Sequence, residues 1–359
     1  MKHQIQELYM KAKSNRQIAT WLYYGAIGIY IQIILGGITR LTGSGLSITE
    51  WKPLLGALPP MNTAEWQRSF DQYKEIAQFK LVNAHFSLAD YQSIFFWEWL
   101  HRNWARFLGF VFIIPFIKFL LQRQISKQLL IRLSILFLLG VLQAVIGWIM
   151  VKSGLNDTAI AVSDIKLAIH FITAVILLCY TIWMAAGLSD KYHVRPPYVS
   201  GLLLLTGITM SLLLIQLFAG ALMAGSKAAL AAPTWPDING HFIPPALYSS
   251  GSNTADTYLL AIQFAHRMLA YLICLMVLIL FQKSLLWKRK THRRLYFIRL
   301  LPLILAGLQT MLGIFTLLNT NLSTYRYGAI VHQGTGLLLL ISLLLFFYAS
   351  HKMQKDKFI

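Results

Sequence analysis

The stretch IKLAIHFITAVILLCYTIWMAAG (residues 165–187) is apolar along its length, apart from one lysine near its start, one histidine and two threonines. An α-helix needs about 20 apolar residues to cross a hydrocarbon core of about 30 Å, so this stretch predicts a transmembrane helix. Seven further runs have the same character, at 18–38, 97–121, 131–151, 199–224, 258–281, 299–318 and 326–349. We therefore predict an all-α integral membrane protein with eight transmembrane helices.

The composition agrees with a membrane protein, since 57% of the residues are hydrophobic and only 13% are charged. The formal net charge of +19 suggests nucleic acid at first sight, but 20 of the 32 lysines and arginines lie at alternate ends of the runs. This is the positive-inside pattern, which predicts that both termini lie in the cytoplasm and that the charge does not serve a nucleic-acid partner. The predicted location is a bacterial inner membrane. The basic segments are 1–20, 118–132, 190–195, 283–299 and 352–357.

The chain repeats itself. IQIILGGITRLTGSGLSITEW (31–51) parallels IQLFAGALMAGSKAALAAPTW (215–235), and a Pro-Pro pair follows each stretch. Each half holds four runs, and an even number of spans returns the chain to its starting side, so the repeats are predicted to be parallel. We expect two pseudo-symmetric four-helix bundles, 1–195 and 196–359, related by a pseudo-two-fold axis along the membrane normal.

The outer loops of the two halves differ. The first, 39–96, is long and rich in aromatic residues, whereas its counterpart, 225–257, is shorter and rich in Pro, Gly and Ser. Loops of this length are often functional lids, but a solvated cap with interfacial aromatics would have the same composition.

Four of the ten histidines lie near the start of an even-numbered run, and those runs all enter from the outer side: His101, His170, His266 and His332. Polar groups at membrane depth are costly and usually functional. Two such histidines per repeat are explained if they are axial ligands of a haem iron held between facing helices. His101 would then pair with His170, and His266 with His332. The alternative is a structural hydrogen bond to a neighbouring helix.

The chain has no C-x-x-C-H sequence, so any haem would be non-covalent and b-type. Its two cysteines, Cys179 and Cys274, fall inside apolar runs and predict no loop disulfide. His85 and His241 lie in outer loops, where surface polarity is the simpler interpretation.

Arginines accompany the histidines. Arg102 and Arg267 each follow a candidate ligand directly, and a guanidinium suits the anionic propionates of a haem. Arg40 and Arg106 are weaker candidates for the same task. The alternative for all four is an anchor at the membrane interface.

One position distinguishes the halves. EWLHR (98–102) has a glutamate three residues before its histidine, whereas QFAHR (263–267) has a glutamine. Residues three apart share a helix face, so Glu98 is predicted to face the ligand of His101 as a general base or charge stabiliser. The alternative is a carboxylate that pairs with an arginine near the membrane surface. We predict that the first half reacts and that the second holds an electron-transfer cofactor.

At this point the chain resembles the haem A synthase family over nearly its whole length. The resemblance rests on TRLTGSGLSITEWKPLLGALPP (39–60), on Glu98-x-x-His101-Arg102 and on the three further helix histidines. In lacking loop cysteines, the chain resembles the proteobacterial and mitochondrial branch of the family. One departure is Ala105, where the family often has glycine.

The resemblance implies an oxidoreductase that converts haem O to haem A for cytochrome oxidase assembly. Haem O would lie between His101 and His170, haem b between His266 and His332, and Glu98 would assist the oxidation. Implied partners are an electron donor, ferredoxin-like or quinol, and haem O synthase or oxidase assembly factors. Homo-oligomerisation stays open.

Two other functions fit parts of the pattern. A di-haem b-type electron carrier has four similar histidines, but such carriers often stack haems across the bilayer, and here all four histidines are predicted near one face. A transporter with parallel repeats would need polar groups near the membrane midplane, where these spans are nearly uncharged.

Overall fold

The computed structural model describes residues 2–50, 55–189, 199–248, 255–287, 293–322 and 324–356. The predicted boundary after residue 195 and residues 51–54 of the motif 39–60 lie outside them. The longer helices are α1 (Lys2–Leu41), α2 (Thr63–Lys74), α3 (Leu88–Leu121), α4 (Lys127–Lys152), α5 (Asp164–Ser189), α6 (Leu202–Ser226), α7 (Ala255–Lys283), α8 (Arg293–Leu318) and α9 (Tyr325–Asp356).

The predicted membrane class is confirmed. Eight helices in the described part of the chain are long and apolar enough to cross a membrane, and each coincides with one of the predicted runs, although α6 begins at Leu202, three residues after the start of the run 199–224. Only α2, which is short and amphipathic, lies outside this set. Helices suit this environment because they satisfy their backbone hydrogen bonds internally.

The chain divides into two compact units, Met1–Ser189 and Asp190–Ile359. In the first unit α1 packs against α3 and α5, and α5 packs against α4. The Trp21 indole donates to the carbonyl of Val111 at 2.7 Å and thereby ties α1 to α3. A cluster of buried apolar residues surrounds this crossing: Ile18, Trp21, Leu22, Phe119, Leu129, Leu133, Leu136, Met184 and Ala185.

The second unit has corresponding helix contacts. Helix α6 packs against α7 and α9, and α8 packs against α9 and α7. Trp287 is completely buried and its ring lies 4.9 Å from that of Phe346. In each unit the first helix therefore lies against the two helices that carry the candidate histidines.

Helix α3 begins nine residues before the apolar run that predicted it. Ser87 caps it in a reciprocal capping box with Asp90, so the helix starts at a polar turn that hydropathy does not detect. Its first turns are amphipathic and bury Tyr91, Ile94 and Phe95. The predicted outer loop 39–96 is consequently shorter, because its last nine residues are helical.

The aromatic residues of the first loop form a small core. Phe70, Tyr73, Tyr91 and Phe95 are nearly or completely buried, whereas Phe96 is 48% exposed. Phe70 stacks on Tyr91 at 5.1 Å, and Trp66 meets Phe95 edge to face at 5.0 Å. We call this cluster, built from α2, the start of α3 and residues 79–86, the aromatic cap. Its packing favours an ordered lid over a loose interfacial girdle.

Candidate functional site

The two histidines predicted to face each other in the second unit do so. His266 on α7 and His332 on α9 have ring centroids 6.5 Å apart and ring planes inclined by 71°. An imidazole nitrogen lies about 2 Å from a metal that it binds, so two rings with a metal between them have centroids about 6 Å apart. The spacing therefore fits a shared iron.

The electrostatic surroundings of this pair also fit a ligand. The Nδ1 atoms of His266 and His332 are buried, and neither has a hydrogen-bond partner among the described residues. An unpaired buried polar atom is costly, and few occur in folded proteins without a reason. Both histidines are partly buried as whole residues, although these ring nitrogens are buried.

In the first unit His101 lies on α3 and His170 on α5, and both helices pack against α1. Both histidines are partly buried, as in the second unit. The structure thus brings His266 and His332 together, and the pairing of His101 with His170 stays a prediction. His85 and His241 are exposed and lie outside the membrane-spanning helices.

A glutamine from a neighbouring helix contacts each of the four histidines. Three of these amides donate to the backbone carbonyl of the histidine: Gln32 to His101 at 3.1 Å, Gln143 to His170 at 2.8 Å and Gln216 to His266 at 2.9 Å. The amide nitrogens of three lie close to an imidazole nitrogen: Gln143 at 3.1 Å, Gln216 at 3.3 Å and Gln309, beside His332, at 3.4 Å.

Sequence analysis did not assign these glutamines a role. The alignment of the repeats pairs Gln32 with Gln216 and Gln143 with Gln309. That pairing, in spans with few other polar side chains, was the feature of the sequence that could have indicated a role for these glutamines.

Glu98 is buried, and its carboxylate accepts hydrogen bonds from the outer loop. Oε2 accepts from the Ser47 hydroxyl at 2.7 Å and from the Ile48 amide at 2.8 Å. Oε1 pairs with Arg102 one turn later at 2.5 Å. The predicted pairing with an arginine is therefore present. The catalytic role stays a prediction, since these contacts hold the carboxylate but do not show what it does in a reaction.

Gln263 occupies the equivalent place in the second unit. It is completely buried, donates to the carbonyl of Ala228 at 3.0 Å and accepts from Arg267 at 2.8 Å. Each unit thus ties the start of its outer loop to a helix through a polar residue and the arginine that follows it by four.

The two arginines bind equivalent loop carbonyls. Arg102 donates to Ile48 at 3.0 Å and to Glu50 at 3.2 Å. The repeat alignment pairs those two residues with Ala232 and Thr234, and Arg267 donates to their carbonyls at 3.2 and 2.8 Å. These guanidinium groups therefore hold loops, and their predicted contact with propionates stays a prediction.

Arg40 differs from the other arginines. One of its terminal nitrogens, Nη2, is buried and has no hydrogen-bond partner among the described residues. Arg40 lies at the end of α1, the helix that packs on both histidine-bearing helices of the first unit. Arg106 donates to Asn103 at 3.1 Å. By geometry Arg40 is the better candidate for an anionic ligand group.

Comparison with known proteins points the same way. Residues 19–344 match the family described as "Cytochrome oxidase assembly protein". A heme A synthase of Beijerinckia indica is 39% identical over 336 residues, which are 91% of this chain and 91% of that protein. A heme A synthase of Azorhizobium caulinodans is 37% identical over 351 residues, 96% of this chain and 97% of that protein. A third, of Parvibaculum lavamentivorans, is 42% identical over 267 residues, 74% of this chain and 76% of that protein.

Proposed function

The chain belongs to the cytochrome oxidase assembly protein family and functions as a haem A synthase, and on that premise we propose that its two units hold two different haems. The reaction oxidises a methyl group of haem O to a formyl group and gives haem A. The first unit binds the substrate haem O, and the second binds haem b.

The observation that carries this proposal is the opposed pair His266 and His332, with ring centroids 6.5 Å apart and both Nδ1 atoms unpaired within the described part of the chain. Imidazole suits iron, and two facing helices supply the two axial positions. When bound there, haem b supplies one-electron transfer. His101 and His170 hold the iron of the substrate in the corresponding place of the first unit.

The reactive half is assigned to the first unit because, within the described part of the chain, that unit has a buried carboxylate three residues before a candidate histidine and an aromatic cap bound to it. Glu98 precedes His101 by three residues and is 2% exposed. As a carboxylate it accepts a proton or offsets positive charge on the oxidised porphyrin, neither of which Gln263 does. The aromatic cap, tied to Glu98 through Ser47, shields that half from water.

Arg40 is proposed to bind a propionate of haem O. Its buried Nη2 has no partner among the described residues, and a charged donor of this kind costs free energy unless an acceptor meets it. The repeat alignment places Ala224 at the equivalent position of the second unit. The two haems would therefore be held by different contacts at their propionate edges.

The proposed location and orientation in the membrane rest on the distribution of lysines and arginines along the chain. The positive-inside pattern favours a bacterial inner membrane with both termini in the cytoplasm and both histidine pairs towards the outer face. The electron donor is proposed to be a ferredoxin-like protein or a quinol. Haem O synthase and oxidase assembly factors are the partners expected to hand over substrate and to receive product.

Extraction of pigments from the purified full-length protein tests this function. Haem O or haem A together with haem B is the expected result, since substrate or product should occupy one site and cofactor the other. Haem B alone would favour the di-haem carrier, and absence of pigment in a protein expressed with adequate haem would contradict both. Separation of the extracted haems by chromatography gives the answer.

A further inference from the structure

The four glutamines share a second feature. Each is followed four residues later by a glycine on the same helix: QIILG (32–36), QAVIG (143–147), QLFAG (216–220) and QTMLG (309–313). These motifs lie on α1, α4, α6 and α8, and each faces the histidine on the helix that comes next as a membrane span. Residues four apart share a helix face, so the glutamine and glycine both meet that histidine.

The glycines make room for the imidazole rings. A Cβ added at Gly147 would lie 2.8 Å from Cε1 of His170, and one at Gly313 would lie 2.9 Å from Cε1 of His332. At Gly36 and Gly220 the closest ring atoms would be 3.2 and 3.1 Å away. By contrast, an added Cβ at Gly140 or Gly307, on two of the same helices, meets nothing within 4 Å. On α4 and α8 the close approach is therefore specific to the glycine that faces a histidine.

The glutamines are expensive as purely structural residues. The Oε1 atoms of Gln32, Gln216 and Gln309 are buried and have no hydrogen-bond partner among the described residues. Burial of an unpaired amide oxygen is unfavourable, and an apolar side chain of similar size would avoid that cost. Only Gln143 is fully paired, because Thr173 donates to its Oε1 at 2.6 Å.

We propose that each Gln-x-x-x-Gly motif is a ligand-positioning element for the histidine that it faces. The amide anchors the histidine and lies beside its ring, and the glycine lets the ring lie against the neighbouring helix with its other side towards the opposing histidine. Contacts of this kind orient metal ligands and tune their basicity. The proposal rests on the proposed function, in which these histidines are axial ligands. The same arrangement, a Gln-x-x-x-Gly helix packed against a histidine-bearing helix, then occurs four times.

The cofactor half offers the direct test. Gln216 contacts both the carbonyl and the ring of His266, whereas Gln309 contacts only the ring of His332. Loss of an outer contact to a metal ligand costs about 10–100-fold in affinity. We expect Gln216→Met to accelerate haem b transfer from the full-length protein to excess apomyoglobin by about 10–100-fold. Gln309→Met should have a smaller effect, and Ser211→Ala, an exposed hydroxyl bonded within α6, should have none.

The glycines give an independent test. Gly313→Ala and Gly307→Ala add the same methyl group to α8, but only the first reaches a histidine. We expect Gly313→Ala to alter the electron paramagnetic resonance spectrum of the bound low-spin haem and to speed its loss, and Gly307→Ala to leave both unchanged. A general effect on helix stability would move the two variants together.

A further variant separates orientation from folding. Gln216→Glu keeps the side-chain size but puts an acceptor beside the ring, which should raise the basicity of His266 and lower the midpoint potential of haem b. Wild-type haem loss, spectrum and potential in Gln216→Met, Gln216→Glu and Gly313→Ala would overturn the proposal, provided that His332→Ala loses haem b. Retention of haem b by His332→Ala would instead contradict the proposed function. If the Gln216→Met protein does not accumulate, the comparison of Gly313→Ala with Gly307→Ala tests the proposal.

Discussion

The Glu98–Arg102 pair of the first unit and the Gln263–Arg267 pair of the second both anchor an outer loop. The hydrogen bonds between the first residue of each pair and the loop run in opposite directions. Both arginines bind the equivalent pair of loop carbonyls, and both polar partners are buried. Glu98, however, accepts from the loop at Ser47 and Ile48, whereas Gln263 donates to it at Ala228. Each half therefore needs a polar residue here to hold its loop, and only the first keeps a carboxylate for it.

This comparison teaches that position alone does not decide function in a repeated fold. A buried glutamate that receives three hydrogen bonds would pass as purely structural if the second unit did not achieve the same anchoring with an uncharged amide. The predictions below test how far the halves differ.

The largest expected effect separates the two haems. His332→Ala removes a proposed axial ligand, so the low-spin spectrum of haem b should disappear and conversion to haem A should stop, because the proposed electron-transfer cofactor would be lost. His170→Ala should abolish conversion but keep haem b. Absorption spectra and chromatography of extracted haems measure both results. The exposed His85→Ala is the control, and equal loss of haem b in the two ligand variants would show that the units are not specialised.

Exchange of Glu98 and Gln263 sharpens the comparison. Glu98→Gln should lower the rate of conversion by about 10²–10⁴-fold, the usual cost of losing a positioned acid-base group. The protein should still fold and keep haem b, because Gln263 shows that an amide can pair with the following arginine. Extracted haems should stall at haem O or a hydroxylated intermediate.

The converse change, Gln263→Glu, should create no second reactive site, because the described part of its loop forms no aromatic cap. Haem A production by Glu98→Gln at the wild-type rate would show that the carboxylate only anchors the loop. In that case the difference between the halves must reside elsewhere.

A smaller effect is expected at Arg40, the arginine that the second unit replaces with Ala224. Arg40→Met should weaken haem O binding by about 10–100-fold, since a hydrogen bond from a charged group is worth about 1.5–3 kcal/mol. Haem b content should not change. Haem O titration monitored by absorbance measures the effect, and the exposed Arg68→Met in α2 is the control. Unchanged binding would remove Arg40 from the substrate site.

The smallest effect should come from the aromatic cap. The Tyr91 hydroxyl bonds to Ser69 at 2.6 Å and donates to the carbonyl of Ser47 at 3.2 Å. Tyr91→Phe should destabilise the cap by about 0.5–1.5 kcal/mol, and limited proteolysis should cut the loop faster. The exposed Tyr248→Phe of the second outer loop should behave as wild type. Equal proteolysis of both variants would show that the hydroxyl does not order the cap.

The amino-acid sequence by itself determined the membrane class, the eight spans and the two pairs of histidines. These follow from composition along the chain, because a span must be apolar over a fixed length and a polar residue inside it stands out. The internal repeat supplied the equivalence of the halves. It also exposed the carboxylate of Glu98, for which the second half has the amide of Gln263.

Only the tertiary structure decided which groups meet. Whether Glu98 contacts a loop, whether Arg102 donates to carbonyls and which glutamine lies beside which histidine depend on the side chains that neighbouring helices bring together. Hydropathy describes each helix alone, whereas these contacts join residues far apart along the chain, as in the bond of Gln32 to His101 across 69 positions. The glycines are the clearest case, because Gly307 and Gly313 look alike along the chain and differ only in the ring that packs against one of them.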